Sequence, residues 1–210
     1  PAGLSVLSGV ALAFAYMHDV PSLIGSMHDH PPHANDLLGT LHEFIYLFAL
    51  AGFAVFFGLG LAFAATRAAH AIPTVRLVAG TLAANAVTSV ALGYLLAEHV
   101  KGAIDFGFFL IAYAAALFVL DCGLVAEEPH RWTRVGCAIL VASVMGGWVV
   151  GILTDGAEPI VASVGGFVVG AVGVGVLQEE MRDDADANLW AFLGSTLASS
   201  ALILLFLEID

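Results

Sequence analysis

The sequence predicts an all-α integral membrane protein, a single bundle of seven transmembrane helices. Three observations carry that prediction. Of its 210 residues 60% are apolar and only 11% charged, with a mean hydropathy of +0.96, too few charges to cover a water-facing surface of that size. The apolar residues fall into stretches near the ~20 residues that cross a bilayer. The arginines recur in alternate connections, as they do when a chain threads back and forth through a membrane.

The spans are expected at 3–18, 40–66, 75–98, 103–126, 134–154, 158–179 and 188–208. The first is short and ends in His18-Asp19-Val20-Pro21. His30-Pro31-Pro32-His33 breaks the chain ahead of the second, and Thr40-x-x-Glu43 is a capping-box pattern at its start. Ile72-Pro73-Thr74 separates the second from the third, Lys101-Gly102 the third from the fourth, and Glu127-Glu128-Pro129 the fourth from the fifth. Asp155-Gly156 and the acidic run Asp183-Asp184-Ala185-Asp186 mark the last two breaks. No soluble domain, long linker or charged tail remains, so residues 1–210 are read as one domain. The apolar N-terminus has no basic n-region followed by a small-residue cleavage site, so it is read as a span and not as a signal peptide. Cys122 and Cys137 lie inside apolar runs and are expected as buried thiols, not as a disulfide.

Short cytoplasmic loops carry the Lys/Arg excess of a membrane protein. Arg67 and Arg76, Arg131 and Arg134, and Arg182 fall on one side, and only Lys101 on the other. This split puts the N-terminus inside and the C-terminus outside. It also sorts the histidines: His18, His28, His30, His33, His42 and His99 lie at the outer face, His70 and His130 at the inner one. The net charge of −12, from 18 acids and six bases, leaves no basic stripe to neutralise phosphates, so a nucleic-acid partner is not expected. An acidic chain with a single lysine suits a halophile's high salt.

The outer cluster is the first candidate site. His28-Asp29-His30-Pro31-Pro32-His33, His18-Asp19 and His42-Glu43 bring imidazoles and carboxylates to one face, ligand types that suit zinc and other borderline divalent metals. A polar membrane exit would also look like this. Within the spans, ionisable and strongly polar residues are costly and therefore suspect. Asn85 is expected near the middle of the third helix with Thr88 and Ser89 one turn along, Asp121 near the inner end of the fourth and Asp105 near its outer end. Asn85 could equally be a hydrogen bond between helices, and Asp121 a carboxylate reaching the headgroups. Gly147/Gly151 and Gly166/Gly170 are small-xxx-small pairs on the fifth and sixth helices, able to seat a homo-oligomer, a membrane-protein partner or simply another helix of the chain.

Ser8 to Pro21, a glycine-containing stretch ending in His18-Asp19-Val20-Pro21, is similar to the second helix of the ZIP (Zrt/Irt-like) divalent-metal transporters, which ends in His-Leu-Leu-Pro-Glu. Ser22 stands where that Glu would be. Gly165-Gly166-Phe167 through Leu177-Gln178-Glu179-Glu180 resembles the family's seventh helix. The chain as a whole thus resembles helices two to eight of a ZIP bundle in a distant prokaryotic branch, which implies a further span ahead of Pro1. The resemblance carries Asn85 onto the Asn of the fourth-helix motif His-Asn-x-x-Asp-Gly. Asp121 falls on the Pro position of the fifth-helix motif His-Glu-x-Pro-x-x-Leu. Neither His ligand of these motifs is present, which leaves Asn85, Asp121 and Cys122 as replacements in this register.

Two functions follow. One is a permease whose outer loop captures a divalent cation that then passes Asn85 and Asp121. The other is a non-transporting membrane subunit or scaffold that keeps the ZIP-like fold and binds a partner protein or lipid. A retinal protein would need a lysine in its last helix, and the one lysine is Lys101. No nucleophile or acid–base constellation suggests an enzyme.

Overall fold

A computed structural model describes residues 2–21, 45–70, 72–99, 103–127, 133–154, 158–180 and 188–207. These residues form seven helices and no strand: α1 (Ala2–Phe14, continued by a π-helical segment, Ala15–Asp19), α2 (Ile45–Ala68), α3 (Val75–His99), α4 (Ala103–Glu127), α5 (Thr133–Thr154), α6 (Glu158–Glu180) and α7 (Leu189–Leu207). The ends of α2–α7 agree with the expected spans within two residues, apart from residues 40–44, which lie outside the described residues. Three stretches, Ile45–Ala68, Val75–Ala97 and Arg134–Thr154, are long and apolar enough to cross a membrane. Large apolar side chains are exposed on the outside of the bundle, among them Leu50, Phe57, Ile111, Leu153 and Leu197, a surface that suits lipid better than water.

Local chemistry sets the helix ends. Thr74 caps α3, accepting from the Leu77 N–H at 3.3 Å. At the end of α2, His70 takes a left-handed conformation (φ 50) and its N–H donates to the Arg67 carbonyl, the geometry glycine usually supplies at a helix end. Asn188 caps α7 through its side-chain oxygen, which accepts from Ala191 N at 3.1 Å, while its own N–H donates to Ser5 Oγ at 3.2 Å. Asn188→Ala is expected to cost about 1 kcal/mol of stability, read as a small drop in melting temperature.

Four helices, α1, α3, α4 and α6, pack together as an inner bundle, and each of the other three lies against one of them: α7 on α1, α5 on α3 and α2 on α6. Contacts in each pair climb together along both helices, Ser5 on Asn188 then Gly9 on Ser195, Val90 on Gly147 then Tyr94 on Gly151, and Ala49 on Gly170 then Phe56 on Gln178, so these three pairs run parallel. Glycine makes each pair close. A Cβ at Gly147 would lie on the carbonyl of Val90, at Gly170 on that of Ala49, and at Gly9 on the Ser195 hydroxyl. The same pairs carry polar contacts: Ser5 with Asn188, Thr154 Oγ1 with Tyr94 Oη at 3.3 Å, and Gln178 Nε2 donating to Phe56 O at 3.1 Å. The core cluster is drawn chiefly from the inner four helices, including Phe14, Leu92, Val119, Val172 and Val176.

One expectation is corrected. Cys137 is a free thiol, but it is exposed on α5, because an apolar run in a membrane helix faces lipid as readily as it faces the core. The side chain of Cys122 lies outside the described residues.

Candidate functional site

Some of the polar side chains of the bundle lie inside it. Ser5 and Ser8 on α1, Asn85, Thr88 and Ser89 on α3, and Ser163 on α6 are the buried polar residues among those described, and all belong to inner helices. None carries a charge. Asn85 is 1% exposed, and its Nδ2 donates to the Leu120 carbonyl of α4 at 3.3 Å. That bond joins α3 to α4 one residue from Asp121, whose side chain is outside the described residues. The hydrogen bond expected as the ordinary role of Asn85 is therefore present, and it lies where the proposed path would run.

Of the outer cluster, His18 alone has a described side chain. Its ring stacks on Phe14 (centroids 4.9 Å apart, planes at 11°) and meets the edge of Phe109 at 4.9 Å, while Phe14 also packs edge-on against Tyr113. The π-helical turn sets this position: the Val20 N–H reaches back to the Ala15 carbonyl. The ring of Pro21 conflicts with the carbonyl four residues back, and a wider turn eases that conflict. Asp19 closes that segment, its side chain outside the described residues. His28, Asp29, His30, His33, His42 and Glu43 also lie outside the described residues, as do the side chains of His99 and Asp105. Among the described residues no three His, Cys, Asp or Glu side chains form a metal-holding group.

His18 and Asn85 are separate stations. The α1 and α4 helices run antiparallel, with His18 level with Phe109, whereas Asn85 meets Leu120. Eleven residues of helical rise put about 16 Å between them along the bundle. The sequence alone does not reveal the aromatic enclosure of His18 or the inward serines of α1. An i, i+4 match of Phe14 with His18 is the one signal of the first; serines in a Gly/Ala-rich helix give none. The chain matches no family model, no curated protein and no solved structure.

Proposed function

We propose that the chain is a multi-pass protein of the cell membrane, with seven spans and its N-terminus inside, and that it acts as a ZIP-like permease for a divalent cation such as zinc. The outer cluster of His18, Asp19, His28, Asp29, His30, His33, His42 and Glu43 captures the ion, which then passes Asn85 and Asp121 between α3 and α4. One observation carries the reading: the helices that bear the four ZIP-like motif registers, α1, α3, α4 and α6, are the four of the inner bundle, and the buried polar side chains described lie on three of them. Polar groups turned inward from a lipid-facing surface are where a membrane protein handles solutes. The alternation of arginines supports the orientation.

The second reading is a membrane subunit that keeps this fold without transporting and holds a partner protein, a second copy or lipid. The bond that engages the Asn85 amide with the Leu120 carbonyl favours it, since a ligand would have to compete with that carbonyl. Uptake of radiolabelled zinc by proteoliposomes decides between the two. Saturable uptake that is lost in Asn85→Ala and Asp121→Ala, and that needs more zinc when His28, His30 and His33 are replaced by alanine, is the permease result. Uptake unchanged by the Asn85 and Asp121 substitutions would overturn it.

A further inference from the structure

The inner helix α3 is flanked by two outer helices. On one side its Val78 and Leu82 pack against Leu140 of α5; on the other, a Cβ at Gly80 would lie 3.8 Å from the Leu59 side chain of α2. The α2 and α5 helices are not packed on one another. Between these flanks, Ala83 stands about 100° round α3 from Leu82 and about 60° from Gly80. Ala79, Gly80, Ala83 and Val87 are all exposed along this strip. An inner helix exposed between two outer ones is the floor of a groove, and three small residues of the four keep that floor low.

Arg76 stands on the same strip at its inner end. It precedes Ala83 by seven residues, which places it within about 20° of Ala83 and about 10 Å nearer the start of the helix. Helical side chains lean towards the helix N-terminus, so Arg76 leans towards the mouth of the groove. Arg76 is exposed and has no ion pair or side-chain hydrogen bond among the described residues, and the first turn of α3 holds no acidic residue. Arg134 is also exposed at an inner helix end, but it lies about 120° round α5 from Leu140, on the side away from the groove.

We propose that the groove on α3 between α2 and α5 seats an acyl chain of an anionic phospholipid, with the lipid phosphate on Arg76. The two ends of the groove match the two ends of a lipid: an apolar trough along the span and a cation at its mouth. A guanidinium and a phosphate make strong charge-assisted hydrogen bonds, and basic sites between transmembrane helices on the cytoplasmic side take anionic headgroups. A zwitterionic lipid brings its own cation, which Arg76 disfavours. A helix from a second copy would cover the strip but leave Arg76 without an anion. The proposal rests on the membrane reading and not on transport.

Native mass spectrometry of the purified full chain in detergent, with added phosphatidylglycerol or phosphatidylcholine of the same acyl chains, tests this. Phosphatidylglycerol is expected to bind at about tenfold lower concentration than phosphatidylcholine, as for one hydrogen-bonded charge. Arg76→Gln should remove that preference, Arg76→Lys should keep it, and Arg134→Gln should leave it unchanged. Ala83→Leu, which fills the trough with Arg76 intact, should weaken retention of both lipids. Equal retention of the two lipids by the wild type, or an undiminished preference in Arg76→Gln, overturns the proposal. So does displacement of phosphatidylglycerol by millimolar inorganic phosphate, which would leave the trough without a part, or a dimer that carries no lipid. Should Ala83→Leu fail to fold, thermal unfolding of the wild type takes its place: a melting temperature raised by phosphatidylglycerol and not by phosphatidylcholine supports the seat, and equal melting overturns it. Zinc uptake that fails while the lipid preference persists counts against the permease alone; intact uptake without a lipid preference counts against this seat alone.

Discussion

Gly170→Leu is expected to leave no folded bundle in detergent, while Gly146→Leu melts like the wild type. Helices in lipid are not driven together by the hydrophobic effect, so their association depends on how closely they pack. At residue 170 the first side-chain carbon would lie on the Ala49 carbonyl of α2, and at residue 147 on the Val90 carbonyl of α3. Both obstacles are backbone and cannot swing aside. Accommodating leucine means separating α2 from α6 by most of a side-chain width, a loss above about 4 kcal/mol of the kind that marks overpacking in a core. Gly146 sits on the exposed face of α5 with nothing within 4 Å. Size-exclusion profiles and thermal unfolding compare the two. A Gly170→Leu protein that is monodisperse and melts normally would refute the close pairing of α2 with α6.

Asn85→Leu is expected to separate function from stability. Its bond to the Leu120 carbonyl is of a type worth about 0.6–2 kcal/mol in a membrane bundle. Leucine is close in size and fills the buried position, so the melting temperature should fall by only a few degrees. Zinc uptake should nonetheless drop to that of protein-free liposomes, because the carboxamide between α3 and α4 is gone. Normal uptake by a stable Asn85→Leu protein would remove Asn85 from the path and favour the non-transporting subunit.

The extents of the helices were legible because they depend on local chemistry. Pro73, Lys101-Gly102 and Asp155-Gly156 punctuate the apolar runs where the described helices stop. Their pairing was not legible. The Gly147/Gly151 spacing says that some backbone comes close, and Gly93 and Ala97 of α3 meet it, but the same small-residue spacing recurs at Gly166/Gly170 of α6 and so does not name the partner. Cys137 shows the same limit, since hydropathy cannot distinguish a lipid-facing residue from a core residue when both surroundings are apolar. In the candidate site, Asn85 stood out as the one carboxamide in its span. Ser8 did not, because its distinction is a hydrogen bond it does not make.

The parallel pairs also have an order in time. The α3–α5 pair brackets α4, the α2–α6 pair brackets that, and α1–α7 encloses all the rest, so the contacts are nested like parentheses. A ribosome delivers the N-terminal helix first. During synthesis, α1 therefore waits for its α7 contacts until α7 emerges, whereas α5 follows α3 after a single intervening helix. Of the three pairs, α1 with α7 closes the longest loop. A nascent chain stalled before α7 would expose to the membrane's quality control the seam of α1 that α7 covers.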